Sequence, residues 1–208
     1  MGSGHEPPTL FVMVKAPVAG LVKTRLASTI GTGEALRFYR SVTTSLLRHV
    51  GSDPRWRTVL AVSPDRYLRS RFWPMSLLRV AQGGGDIGER MQRLLDSSPG
   101  PNVLVGSDIP GIRASHIAAA LRALSRRGIV FGPSEDGGFW LVGARRCPTV
   151  PRRFHDVRWS TEHALADTLS NLPGPAGFVT TLTDVDTETE WRRWRRGELG
   201  MAQREGRN

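Results

Sequence analysis

The sequence predicts a single α/β domain built on a mixed, mainly parallel sheet. Three observations predict it. Short apolar, β-branched runs alternate with amphipathic stretches in a βαβα order, and most of the runs end in loops rich in Gly, Pro or Asp. One pair of runs is joined by an Asp-Gly turn, which makes one strand antiparallel. The length of 208 residues suits one such domain with a sizeable core. The expected boundaries are a disordered lead-in over 1–8, the domain over 9–196 and a flexible tail over 197–208.

The first strand runs from Leu10 through Val14 and leaves by a loop, Lys15-Ala16-Pro17-Val18-Ala19-Gly20-Leu21-Val22-Lys23-Thr24-Arg25. Thr32 is placed to cap a helix in which Ala35, Leu36, Tyr39, Val42, Leu46 and Val50 recur at three- and four-residue steps. Thr58–Val62 reads as a buried strand, followed by a helical turn with Pro64 at its first position. Leu77–Ala81 is a third strand, and Gln82-Gly83-Gly84-Gly85 is its exit loop. Asp86 with Glu89 makes a capping box that opens the next helix. Asn102–Gly106 is a fourth strand whose carboxyl end displays Asp108. Ser115 caps a helix that stops at Gly128, and Ile129–Phe131 and Phe139–Val142 form the hairpin. A helix from Ser160, a last strand over Phe178–Leu182, and a helix opened by a Thr187/Glu190 capping box complete the chain.

A formal charge of +10, from 29 basic and 19 acidic residues, suits an anionic partner without choosing one. The Arg-rich segment Trp191–Arg196 reads first as a solvated helix face, and no RNA- or DNA-binding motif accompanies it, which argues against a nucleic-acid partner. The single cysteine, Cys147, forms no internal disulfide, and the histidines show no metal spacing. The lone cysteine makes the expected setting reducing and cytoplasmic; the start has no apolar signal-peptide core, and no stretch is long enough to span a bilayer.

In an open α/β sheet, ligands bind outside the carboxyl ends of the strands. Four stretches fall there: the Lys15–Arg25 loop, the Gln82–Gly88 loop, Asp108, and Asp184-Val185-Asp186. The first loop holds the chain's only two lysines, Lys15 and Lys23, with Arg25 close behind. It fails the P-loop spacing and the three-glycine dinucleotide fingerprint. It reads either as a cradle of backbone N–H groups and cations for a polyphosphate or as a solvated loop. Gln82 and its glycines suit the edge of a planar base, or form a plain connector. Asp108 fits a magnesium or manganese ligand completed by phosphate and water, or a turn cap. Asp184 and Asp186 are placed to share that ion, although Asp186 also suits a helix N-terminus. Asp136 makes the hairpin turn and, if the turn lies over the site, is a candidate general base.

Taken in order, these stretches give a resemblance. Lys15 to Leu26, Gly85-Asp86-Ile87-Gly88-Glu89-Arg90-Met91, Gly106-Ser107-Asp108-Ile109-Pro110, Gly132 to Gly138, Trp159-Ser160-Thr161 and Asp184-Val185-Asp186-Thr187 resemble the nucleotide-diphospho-sugar transferase superfamily of glycosyltransferase-A type. More narrowly the chain is similar to bacterial glycosyltransferases of the arsenosugar-biosynthesis type. The resemblance implies a Rossmann-like three-layer α/β/α fold and a nucleotide held by Lys15, Ala16, Gly20, Lys23, Arg25, Gln82 and Gly88. It also implies a divalent metal, Mg²⁺ or Mn²⁺, on Asp108. The similar guanylyltransferases of deazaflavin-coenzyme biosynthesis add Asp184 and Asp186 to that metal. Two departures stand out: Ile109 and Gly111 beside Asp108, and Phe139-Trp140 in place of a tyrosine-containing pair. The implied activity is a metal-dependent transferase moving a sugar from a nucleotide-sugar to a small acceptor, with Lys23 and Asp136 in catalytic roles. The alternatives are a nucleotidyltransferase that releases pyrophosphate and a non-catalytic nucleic-acid binder that uses the last helix.

Overall fold

The computed structural model describes residues 6–145 and 153–199. Cys147 and the outer parts of the expected lead-in and tail lie outside the described residues. Seven strands form one sheet in the order β3-β2-β1-β4-β6-β5-β7. They are β1 (Thr9–Lys15), β2 (Arg57–Ser63), β3 (Leu78–Ala81), β4 (Asn102–Gly106), β5 (Ile129–Pro133), β6 (Phe139–Ala144) and β7 (Gly177–Phe178). Only β6 runs antiparallel, between β4 and β5, as the Asp-Gly turn predicts. The three-layer α/β fold read from the sequence is the fold observed.

Strand β1 is the centre of the molecule because its apolar run is buried on both faces. Leu10, Val12 and Val14 face one core layer with Leu46, Val50, Ile117 and Leu124. Phe11 faces the other, with Leu94, Leu95 and Phe131. The helices follow suit: α2 (Thr32–Val50) and α4 (Ala114–Leu124) cover the first face, while α3 (Ile87–Asp96) and α5 (Ala164–Ser170) cover the second. A third cluster joins Leu26 of α1 (Thr24–Ile30) to Phe38, Val42 and Val185, with Trp191 and Trp194 of α6 (Glu188–Arg195) packed on it.

Both predicted capping boxes form. Glu89 N donates to Asp86 Oδ1 at 2.8 Å while Asp86 N donates to Glu89 Oε2 at 3.0 Å. Thr187 and Glu190 do the same at α6. Other boundaries move. Helix α1 is additional, and Gly31, not Thr32, precedes α2. Helix α4 starts at Ala114 after Arg113, whose backbone N–H bonds His116, so Ser115 lies inside it. Ser160 has a left-handed φ of 60° and the helix begins four residues later at Ala164. The last strand shrinks to Gly177–Phe178 plus an isolated bridge between Ser134 and Leu182, with single hydrogen bonds from Val179 N to Phe131 O and from Leu182 N to Pro133 O continuing the contact with β5. Leu199, expected in the flexible tail, is buried against the α1–α2 cluster.

Candidate active site

Strands β1, β2, β3, β4, β5 and β7 all run the same way, so their carboxyl ends share one edge of the sheet. Sequence order reverses between β1 and β4, and the loops leaving those two strands splay apart there. The Lys15–Arg25 loop leaves β1 and the Ser107–Gly111 loop leaves β4. The chain arriving from β7 brings Asp184 and Asp186 to the same place.

Lys23 is the meeting point. Its Nζ lies 2.9 Å from Asp108 Oδ2, 2.8 Å from Asp184 Oδ1 and 2.8 Å from Asp186 Oδ1, and its side chain is only 4% exposed. Arg25 Nη1 bonds the other oxygen of Asp186 at 3.2 Å. Lys23 takes up left-handed backbone (φ 45°, ψ 46°) immediately before α1, a conformation uncommon for a residue with a Cβ. That turn directs the side chain inward. Glu190 fixes the far partner, since its Oε2 accepts from the backbone N–H of both Asp186 and Thr187 at 2.8 Å.

The electrostatics are unbalanced. Burial pulls the Lys23 ammonium down, but attraction by Asp108, Asp184 and Asp186 outweighs it and holds the group well above the ordinary lysine range. For Asp108, burial pushes the carboxyl up, yet the charge and hydrogen bond of Lys23 prevail, with help from Lys15, so it stays below its usual value. Asp184 goes the other way. Burial and the negative charge of Asp108 push it to about 7, despite Lys23. Lys23 and Arg25 pair with the three carboxylates and Lys15 acts on Asp108 from nearby, and the raised Asp184 carboxyl marks where negative charge is least well compensated.

Among the described residues, no group of three or more His, Cys, Asp or Glu side chains is arranged to hold a metal ion as it stands. The geometry gives the reason: the three carboxylates are drawn around an ammonium at hydrogen-bond distances, longer than the roughly 2.0–2.2 Å of magnesium or manganese to oxygen. The donor set itself, three hard oxygens aimed at one point, is chemically what those ions take.

The other expected residues divide. Lys15 is exposed at the end of β1, close enough for its charge to reach Asp108. Ala16 is buried and its N–H donates to Ser63 O at 2.7 Å, which holds the loop against β2. Gly20 has φ 79° and open space around it, the conformation that lets the loop turn. Gln82 differs from its expected role. It is 3% exposed, both hydrogens of its amide are spent on Val14 O and Ala61 O, and Oε1 accepts from Arg90. It ties strand ends together beneath the surface. Gly88 is buried too: a Cβ there would lie 2.7 Å from both Phe154 and Trp159, so its role here is to let that loop close on α3. Asp136 is exposed at the hairpin tip, on the same edge of the sheet, with Oδ1 accepting from Gly138 N at 3.0 Å. Tyr39 of α2, which sequence reading gave only a place in a helix core, meets Lys15 and Ser107 through its hydroxyl.

The fold is an α/β fold of the nucleotidyltransferase-like and glycosyltransferase-A architecture. The chain belongs to the family described as uncharacterized proteins conserved in bacteria (DUF2064), which matches residues 46–161. That span includes Asp108 and the hairpin, while Lys23, Asp184 and Asp186 lie outside it. Among solved structures, a protein from Desulfovibrio desulfuricans G20 named as a candidate nucleotide-diphospho-sugar transferase is 25% identical. It aligns with a TM-score of 0.82 over 97% of this chain and 91% of its own. Rv0371c from Mycobacterium tuberculosis H37Rv, in complex with manganese, shares the fold at 15% identity with a TM-score of 0.50, covering 90% of this chain and 97% of its own. CMP:2-keto-3-deoxy-manno-octonic acid synthetase complexed with CTP shares it at 9% identity and a TM-score of 0.56, covering 93% and 98%. A search of curated proteins finds no match. No helix among the described residues is long and apolar enough to cross a membrane.

Proposed function

We propose that this chain is a metal-dependent transferase that takes a nucleotide-sugar and passes the sugar to a small acceptor, as glycosyltransferases of the arsenosugar-biosynthesis type do. The observation that carries the reading is the convergence of Asp108, Asp184 and Asp186 on one buried cation at the β1/β4 crevice. The manganese held by a protein of the same fold supports it.

In this reading Asp108, Asp184 and Asp186 hold a Mg²⁺ or Mn²⁺ ion, which supplies positive charge for the leaving diphosphate. Lys23 gives up the carboxylates and turns its ammonium to the phosphates, where Lys15 and Arg25 share the load. Gly20 and the buried backbone of Ala16 shape the loop around them. The Gln82 loop frames the base, with its backbone rather than the Gln82 amide facing outward, and Gly88 keeps α3 close beneath. Asp136, whose second carboxylate oxygen is not engaged by Gly138, orients the acceptor hydroxyl and takes its proton.

Incubating the protein with Mn²⁺ or Mg²⁺ and a panel of nucleotide-sugars and nucleoside triphosphates, followed by mass spectrometry, tests the reading. Release of nucleoside diphosphate is the expected result. Release of pyrophosphate assigns nucleotidyl transfer at the same site instead, and neither product from any pair overturns both.

A further inference from the structure

We propose that Tyr39 is a positioning residue: its hydroxyl wedges β1 and β4 apart at their carboxyl ends and sets where Asp108 stands relative to the Lys15 loop. This rests on the reading of Asp108 as a cation ligand.

The ladder shows where the wedge sits. Strands β1 and β4 pair from Thr9↔Asn102 to Met13↔Gly106 and then stop, while β1 continues beside β2 as far as Lys15↔Ser63. The N–H and C=O of a strand residue point to one side, and those of its neighbour to the other. Ala16 N donates towards β2, to Ser63 O, so the polar groups of Lys15 face β4, which has already turned away. Left unpaired at this half-buried edge, they would weaken the strand end. Tyr39 takes both. Lys15 N donates to its hydroxyl at 2.8 Å, and the hydroxyl donates to Lys15 O at 3.0 Å.

The same oxygen lies 3.0 Å from Ser107 Oγ. A phenol has one proton to give, and Lys15 O receives it, so Ser107 donates. All the capacity of the hydroxyl is used, on one strand end and on the residue before Asp108. One helical turn further along α2, Thr43 Oγ1 donates to Ser107 O at 3.2 Å. Helix α2 therefore grips Ser107 by side chain and carbonyl, and grips β1 through the same tyrosine. The ring is 2% exposed, and burial first of all pushes the hydroxyl up to about 12, which keeps its proton in place throughout the ordinary pH range.

The full chain and its Tyr39→Phe and Ser107→Ala variants are titrated with Mn²⁺ by electron paramagnetic resonance. Amide exchange at Lys15 and thermal unfolding are followed in parallel. For Tyr39→Phe, Mn²⁺ affinity is expected to fall about tenfold, with Lys15 exchange at least tenfold faster. Ser107→Ala is expected to weaken Mn²⁺ about threefold and leave Lys15 protected. A lower melting temperature with Mn²⁺ affinity within twofold of the parent means a structural role alone and overturns the proposal. If Tyr39→Phe does not fold, Ser107→Ala decides by the same criterion. Should the parent bind no Mn²⁺, the metal reading fails. The wedge is then judged by exchange: unchanged protection of Lys15 in Tyr39→Phe overturns it, and lost protection upholds it.

Discussion

Replacing Lys23 by methionine keeps an unbranched side chain one atom shorter and removes its charge. In the parent the ammonium is 4% exposed and lies 2.8–2.9 Å from three carboxylates. Removing one partner of a buried ion pair costs about 3–5 kcal/mol. Here Asp108, Asp184 and Asp186 keep side-chain exposures of 36%, 23% and 32%, so they can turn partly to water and the lower end applies. About 3 kcal/mol in a domain of this size is a fall of roughly 6–12 °C in melting temperature. The penalty depends on pH, with a definite sign. Losing Lys23 removes an interaction that favours ionised Asp184, so its carboxyl rises further, and acid relieves the repulsion by protonating it. The deficit is therefore large at pH 8 and smaller at pH 5, and Mn²⁺ raises the melting temperature of the variant more than that of the parent. Calorimetry at both pH values, with and without Mn²⁺, is the assay. A deficit under 2 °C at pH 8, or one that is equal at the two pH values, refutes the reasoning.

Asp184→Asn tests the same imbalance from the other side. The Asp184 carboxyl is raised from an ordinary 3.8 to about 7, so between these values the folded state holds a proton the unfolded chain has released, and stability falls as pH rises. The variant loses that slope and is more stable than the parent at pH 8 by about 2 kcal/mol, with the gap closing near pH 4, as urea denaturation will show. Its Mn²⁺ affinity falls nonetheless. Glu190→Ala removes the acceptor of two backbone N–H groups, Asp186 and Thr187. A loss of about 1 kcal/mol by chemical denaturation is expected, with weaker Mn²⁺ binding in titration. Gly88→Ala drives a methyl into Phe154 and Trp159, and a loss of about 1–3 kcal/mol with altered tryptophan fluorescence is expected.

Much of the fold was legible because it rests on local chemistry. The continuous apolar β1 run announced a strand, Asp86/Glu89 and Thr187/Glu190 announced helix starts, and Asp136-Gly137 announced the hairpin. What was misplaced depended on tertiary context. Helix α1 has a single buried apolar residue, Leu26, and so no period to read. Ser115 and Ser160 are good caps by type, but Arg113 and His163 hold the cap positions because packing sets where those helices begin. Within the site, the signs and strand-end positions of Lys23, Asp108, Asp184 and Asp186 were visible. Their mutual contact was not, since it joins Lys23 to Asp108 and, 161 and 163 residues away, to Asp184 and Asp186. Gln82 shows the opposite difficulty: an amide at a strand end looks available until the backbone carbonyls that consume it are in view. Tyr39 was counted as apolar by its spacing, and the hydroxyl at a core position was the overlooked signal.

The ion pairs from Lys23 to Asp184 and Asp186 span 161 and 163 residues, joining the loop that leaves β1 to the approach to α6. The site is a clasp between the two ends of the described chain. During synthesis all seven strands emerge before Asp184 does, so the sheet has what it needs to assemble while the clasp still hangs open. Val185, Trp191, Trp194 and Leu199 close over Leu26, Phe38 and Val42 in the same event. The Lys23 cluster is therefore the last part of the sheet's edge to be completed. A chain cut short before Asp184 would keep all seven strands while leaving Lys23 with Asp108 alone and baring the apolar groove over Leu26, Phe38 and Val42.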